Sequence, residues 1–295
     1  MLPYVLKQYD VIKGEEVENF LVNVVKLPEP LAHKMLQKGR VVDHKKRRLQ
    51  KGQRVKEGYI AVYLFEAITK GLTPLFQTEH FALFDKPSGV LVHPTTLSTE
   101  YTLLDEIRYH FGDDGSLVHR IDAETSGLVL VSKNGYAQYL LSEMFDNKGF
   151  VKKYQALVEK EIKEEILIEK GITPSKGLIK LKMQTSAEGK ASSTRIRPIH
   201  YSQNKNQTLV EAIPYTGRQH QIRVHLDAIG HRIVGDPIYG LDERFVDEFL
   251  NDQIPQSERV KTTGASRLML HAYYLEFTFL KNRYIFCSKQ VFGEV

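Results

Sequence analysis

From Phe81 onward the sequence repeats one theme: short apolar runs of strand length, cut off by glycine, proline and polar turns. Residues 81–84, 90–92, 128–131, 154–158, 178–183, 208–213 and 273–279 each read as a strand. Residues 103–111 and 136–145 carry the clearest helical spacing between them. Strands so rarely alternating with helices do not make a βαβ repeat. The pattern predicts an α+β fold on a mixed or antiparallel sheet. No glycine-rich loop follows a strand and opens a helix, which argues against a nucleotide-cofactor domain.

The first 70 residues follow another pattern. After the acidic stretch 15–18, Phe20, Leu21, Val24 and Val25 recur at helical spacing. Leu31, Met35 and Leu36 mark a second helix that stops at Gly39. Residues 40–42 then read as a strand, 43–48 as a turn carrying Lys45, Lys46, Arg47 and Arg48, and 59–65 as another strand. Charge sets this segment apart: residues 1–70 hold 14 Lys/Arg against 8 Asp/Glu, and the remaining 225 hold 27 against 28. Such asymmetry points to a polyanionic partner at one end, although four basic residues in a turn also make an ordinary solvated loop. The expected division is a basic domain over 1–70 and a main body over 71–295, with a linker across 67–78. Two short helices followed by a basic hairpin resemble the RNA-binding fold named after ribosomal small-subunit protein S-four. Asp43-His44-Lys45-Lys46 stands here in place of that fold's usual asparagine-glycine tip.

Several classes are disfavoured. Cys287 is the one cysteine, so no internal disulfide and no thiolate metal site can form, as expected in a reducing cytosol. No apolar run approaches the ~20 residues of a membrane span. The start of the chain carries acids and lacks a small-residue cleavage site, unlike a secretory signal.

The densest polar cluster, His119-Arg120-Ile121-Asp122-Ala123-Glu124-Thr125-Ser126-Gly127, precedes the apolar run 128–131. A carboxylate on such a loop is presented at a sheet edge by rigid structure, although a polar turn capped by Asp122 explains this segment equally. A second cluster over 215–226 contains Arg218, His220, Arg223 and His225 on a turn that becomes an amphipathic element. Arg223 set against Asp122 would favour a charged, nucleophilic carboxylate, or would be a structural ion pair. His119, His220, His225 and His271 match no metal-ligand spacing and read as hydrogen-bonding scaffold. Asp122 and Glu124 also allow a glycoside-hydrolase reading, since its carboxylates stand roughly 5–9.5 Å apart.

Taken together, these motifs resemble an RluA-type pseudouridine synthase over residues 81–279. The 119–127 cluster is similar to that family's catalytic-aspartate motif, with Ile121 where leucine is commoner. Asp85-Lys86-Pro87-Ser88-Gly89 with His93-Pro94, Lys153-Tyr154, the arginine motif over 216–226, the run 230–240 and Arg267-Leu268-Met269-Leu270-His271-Ala272 follow in the family's order. The resemblance implies isomerisation of uridine in RNA to pseudouridine, without cofactor or metal. It implies Asp122 as nucleophile or base, Arg223 as its partner and Tyr154 stacked on the uracil. Leu270 would floor the base, and Arg120, His119, Arg218, His220 and Lys153 would contact substrate. Lys45, Lys46, Arg47 and Arg48 would bind RNA. The partner would be ribosomal or transfer RNA, with no DNA and no membrane, and nothing demands more than a monomer. The rival from another class is a non-catalytic RNA-binding or ribosome-assembly factor. Residues 241–266 form a charged insertion with Phe245, Val246, Phe249 and Leu250 at helical spacing, either framing an RNA cleft or a surface excursion.

Overall fold

The structure is a computed structural model that describes residues 4–11, 14–55, 58–147 and 149–289. The outer ends of the two expected domains, residues 1–3 and 290–295, lie outside the described residues.

Near the N-terminus, β1 (Tyr4–Asp10), α1 (Val17–Asn23), α2 (Glu29–Gln37), β2 (Val41–Asp43) and β3 (Tyr59–Phe65) share a hydrophobic core of their own. The strands pair antiparallel in the order β1-β3-β2. Phe20 and Leu21 of α1 and Met35 and Leu36 of α2 bury with Val41, Ile60 and Val62. Gly39 takes φ 64° just past α2, the left-handed conformation that glycine adopts without penalty. The edge strand β1 escapes a sequence reading because Leu6, Lys7 and Gln8 are all exposed and leave no period of two.

The expected linker over 67–78 is held in place. The backbone N–H groups of Lys70 and Leu72 and the Thr69 hydroxyl donate to the Glu106 carboxylate at 2.6, 3.3 and 2.7 Å. Phe76–Gln77 forms a short strand, β4.

The main body continues with β5 (Phe81–Lys86), α3 (Leu103–Phe111), β6 (Ser116–Leu117), β7 (Ser126–Ser132), α4 (Gly135–Asp146) and β8 (Phe150–Glu159). Next come β9 (Ile166–Glu169), β10 (Ile172–Pro174), β11 (Met183–Thr185), β12 (Ser193–Ser202), β13 (Gln207–Pro214) and α5 (Gln221–Asp227). The chain closes with α6 (Glu243–Leu250), α7 (Gln256–Thr263), β14 (Leu270–Phe279) and β15 (Asn282–Cys287). Among the described residues, a ten-stranded mixed sheet runs β4-β5-β7-β14-β8-β13-β12-β9, with β15 along β14 and β6 along β7. Only β7 and β14 pair in parallel; the other neighbours are antiparallel.

The unbroken apolar run 128–131 has a simple cause: β7 is buried along its whole length. Val129 and Val131 face Phe84 and the α3 residues Leu103 and Ile107. Leu128 and Leu130 face Phe81, Phe277 and the α4 residue Leu141. A capping box of Thr102 and Asp105 starts α3, and the Asn134 side chain caps α4. Two expected strands are not formed as read: 90–92 is a loop with one bridge from Leu91 to Thr102, and 178–182 lies outside any strand, with Met183 opening β11. Conversely, β12 is hidden by Pro198, where its pairing with β13 slips register.

Candidate active site

Asp122 lies on the loop between β6 and β7, and that loop is fixed through its backbone. Fully buried Lys86 places its ammonium 2.9, 2.7 and 2.8 Å from the carbonyls of Pro87, Val90 and Ala123. Burial pushes this ammonium down to about 7 against the pull of Asp122 and Glu124, and three acceptors match its three protons. The Gly89 N–H also donates to the Ala123 carbonyl at 2.9 Å, and the Ser88 hydroxyl donates to the Glu124 carbonyl at 2.6 Å. The Asp85–Gly89 segment therefore clamps the two residues that follow Asp122.

The strand that follows sets the loop beside the rest of the site. Gly127 has φ 118°, and a Cβ there would lie 2.3 Å from the Ala272 carbonyl oxygen, so β7 and β14 approach this closely only at glycine. Ala272 pairs with Gly127 on one side and with Tyr154 on the other. The register thus gathers the Asp122 loop, Leu270 and Tyr154.

Arg223 projects from α5 and is 2% exposed. Its Nε and Nη2 donate to Asp236 at 2.8 Å each, and its Nη1 donates to Asp122 at 3.4 Å. Burial opposes the guanidinium charge, but Asp236 and Asp122 outweigh it and raise the Arg223 pKa. Burial likewise opposes the Asp236 charge, but Arg223 and the N–H groups of Ile238 and Tyr239 hold that carboxyl below its ordinary range. The sequence pairs Arg223 with Asp122 alone; its two-point partner is Asp236. Asp236 stands in the run 230–240, but its only local signal is a carboxylate before a proline.

His220 caps α5 in a left-handed conformation, φ 56°, uncommon for a residue with a side chain. Its Nδ1 lies 2.9 Å from the Tyr239 hydroxyl, which accepts from the Met183 N–H at 3.0 Å. The phenol's own proton then goes to Nδ1, and the imidazole proton sits on Nε2. Nε2 is 3.9 Å from Asp122. Burial, followed by the Arg223 charge, pushes His220 down to about 4, so it is a neutral donor at pH 7.

These groups open on a cleft of about 300 Å³ lined also by Tyr154, Leu270, Ile121 and Ile222. Its volume is at the lower end of small-molecule pockets, roughly 300–1,000 Å³. Asp122 is the sole carboxylate among its described lining residues. Burial, then the Asp122 charge, raise the Tyr154 pKa, so the phenol keeps its proton. Arg120 and Arg218 line the same cleft and are exposed, with Arg218 Nε donating to the Ala191 carbonyl at 3.2 Å.

Two of the residues expected to contact substrate have other partners in the fold. His119 lines the cleft, but its Nε2 accepts from the Leu130 N–H at 3.0 Å and its ring stacks on Phe145 at 5.2 Å. Burial pushes it down to about 3, so its ring is neutral at pH 7. Lys153 points to the opposite face of β8 from Tyr154, where it lies 3.4 Å from Glu211. Lys152 lines the cleft instead, its Nζ 4.2 Å over the Phe145 ring, with its pKa pushed down to about 8 by burial. Counting back by two from Tyr154 is the signal that finds it.

The other two histidines singled out in the sequence are hydrogen-bonded: His225 lies 2.9 Å from the Thr194 hydroxyl, and His271 lies 2.8 Å from the Ser126 hydroxyl. Among the described residues, the one cluster with metal-like spacing is Glu18, Glu29 and His33, and Lys51 sits within it 3.3 Å from Glu18. Glu124 is engaged by Arg259 of α7, which separates it from the paired-carboxylate role. Lys45, Lys46, Arg47 and Arg48 are exposed on the N-terminal unit and line neither cavity at Asp122. No helix among the described residues is long and apolar enough to cross a membrane.

Residues 80–228 match the family described as RNA pseudouridylate synthase. An uncharacterized RNA pseudouridine synthase of Helicobacter pylori strain J99 is 31% identical over 290 residues, covering 97% of this chain and 96% of that one. The ribosomal large subunit pseudouridine synthase C of Salmonella typhi is 31% identical over 288 residues, covering 90% and 85%. The fold is similar to that of human RNA pseudouridylate synthase domain containing 1, with a TM-score of 0.61 at 24% identity, covering 77% and 86%. These likenesses, on the ordered motifs and the cleft they build, show that the chain belongs to the RNA pseudouridylate synthase family, is of the RluA type, and is an RNA pseudouridine synthase, an isomerase.

Proposed function

We propose that Asp122 is the nucleophile or base of the isomerisation and that the substrate is a uridine in ribosomal RNA. The observation that carries the first point is the position of Asp122: among the described residues, it alone brings a carboxylate into the cleft of Tyr154 and Leu270, beside Arg223 and His220. In the reaction the bond from the sugar to uracil N1 breaks and a bond from the sugar to C5 forms. The C5 hydrogen leaves as a proton and N1 gains one, so no oxidant or cosubstrate is needed. Arg223 holds the carboxylate in place, with the His220 Nε2–H 3.9 Å away. Tyr154 stacks on the extruded uracil over Leu270, where stacking is worth about 1–3 kcal/mol against an extrusion cost of a few kcal/mol. Arg120 fills the vacated position or holds a flanking phosphate, and Arg218 contacts phosphate. Lys45, Lys46, Arg47 and Arg48 form an accessory RNA handle on an S-four-like domain over 1–70. The enzyme acts as a cytoplasmic monomer.

The ribosomal substrate is supported by the relatives named as ribosomal large subunit pseudouridine synthase C. Mapping pseudouridines in total RNA from cells with and without this protein tests it. Sites should vanish from large-subunit ribosomal RNA; sites lost only from transfer RNA would contradict it.

A further inference from the structure

The insertion over 241–266 is fastened to the loop that carries Asp122. Arg259 of α7 donates to the Glu124 carboxylate and, at 3.3 Å, to the Gly235 carbonyl. Its guanidinium also lies 5.0 Å from the ring centre of Phe249 on α6. On the inner side of α6, Val246 is fully buried with Ile238 and Tyr239. These contacts tie α6 to the Asp122 loop, and its last turn lines a second cleft of about 520 Å³. Phe249, Leu250, Leu91 and Ile238 give this cleft apolar lining, and the exposed Arg120 and Arg218 line it too. Asp122, His220 and Arg223 belong to both cavities.

We propose that the second cleft receives the base of a nucleotide adjacent to the target uridine in the same RNA strand, with Phe249 and Leu250 as its contact surface. The inference rests on the reading of Asp122 as the group that acts on uridine in RNA. Drawing the target base into the Tyr154 cleft strips a stacking partner from each neighbour while a single phosphodiester keeps that neighbour close. An apolar wall joined to the first cavity through Asp122 replaces the lost partner. Arg120 and Arg218, which line both cavities, supply positive charge for the connecting phosphate. That combination of apolar lining and shared cationic side chains fits a nucleotide rather than an apolar peptide.

The test measures kcat/KM for tritium release from large-subunit ribosomal RNA transcripts labelled at uridine C5, intact or abasic immediately 5′ or 3′ of the target. Phe249→Ala and Leu250→Ala are compared with wild type and with Val260→Ala, a control on α7. Leu250 and Val260 are 41% and 42% exposed, so their substitution spares the fold even if Phe249→Ala disturbs Arg259. The two cleft variants should lose about 10-fold on intact RNA, and Val260→Ala should lose nothing. With one of the two neighbours abasic, wild type should fall to the level of the cleft variants and the substitutions should add no further loss. Full activity of Leu250→Ala on intact RNA, or a loss unchanged by either abasic neighbour, would overturn the proposal. A wild type that releases no tritium from C5-labelled RNA of any class would instead overturn the reading beneath it.

Discussion

Arg223 and Asp236 are joined by two 2.8 Å hydrogen bonds where their side chains are 2% and 0% exposed. A fork held at two points cannot swing, so the direction of its third nitrogen is set by Asp236. That nitrogen faces Asp122. The carboxylate at the centre of the site thus takes its neighbour from a buried one, Asp236, that lines neither cavity.

Asp236→Ala removes the two-point partner of the Arg223 charge, leaving it Asp122 at 3.4 Å, and removes the acceptor of the Ile238 and Tyr239 N–H groups. Breaking a buried pair from one side costs about 3–5 kcal/mol. The urea midpoint should fall accordingly, and tritium release should fall with it at temperatures where the variant is still folded. A midpoint equal to that of wild type would show that the pair is not what holds this region.

Acid should weaken the fold through its buried imidazoles. In the unfolded chain a histidine titrates near 6.5, whereas burial holds His220 near 4 and His119 near 3. Between about 6.5 and 4 the unfolded state binds more protons, so stability falls as pH falls. Each imidazole contributes up to about 1.4 kcal/mol per pH unit. His119→Gln should therefore lose less stability than wild type between pH 7 and 5, whatever its starting value. Equal losses would show that His119 plays no part in the acid response.

The basic turn makes a salt-dependent prediction. Arg47 is ion-paired to Asp43 at 2.7 Å, whereas Lys45 and Lys46 are exposed on the same turn. Changing both lysines to glutamine should make the plot of log affinity for ribosomal RNA against log salt shallower, by about 0.7–0.9 for each phosphate that the turn no longer neutralises. An unchanged slope would mean that the turn is only solvated surface.

What could be seen in the sequence was whatever repeats locally. The apolar run 128–131 announced a strand buried on both faces, and residues 103–111 match α3 from end to end. The loop of Asp122 and the motif of Arg223 stood out as dense polar clusters. Contacts across the fold left no such mark. The Tyr239 hydroxyl reaches Met183 and His220 from distant positions, and Arg259 reaches Glu124 from the insertion. None of these follows a period. The choice between Lys152 and Lys153 depended on strand phase, which Tyr154 fixes once it is placed in the cleft.

The role of Asp122 is central, and Asp122→Asn tests it most directly through tritium release from C5-labelled ribosomal RNA, with affinity for the same RNA measured alongside. The variant should show no release above background and an affinity within a few-fold of wild type. Release at the wild-type rate would contradict that role.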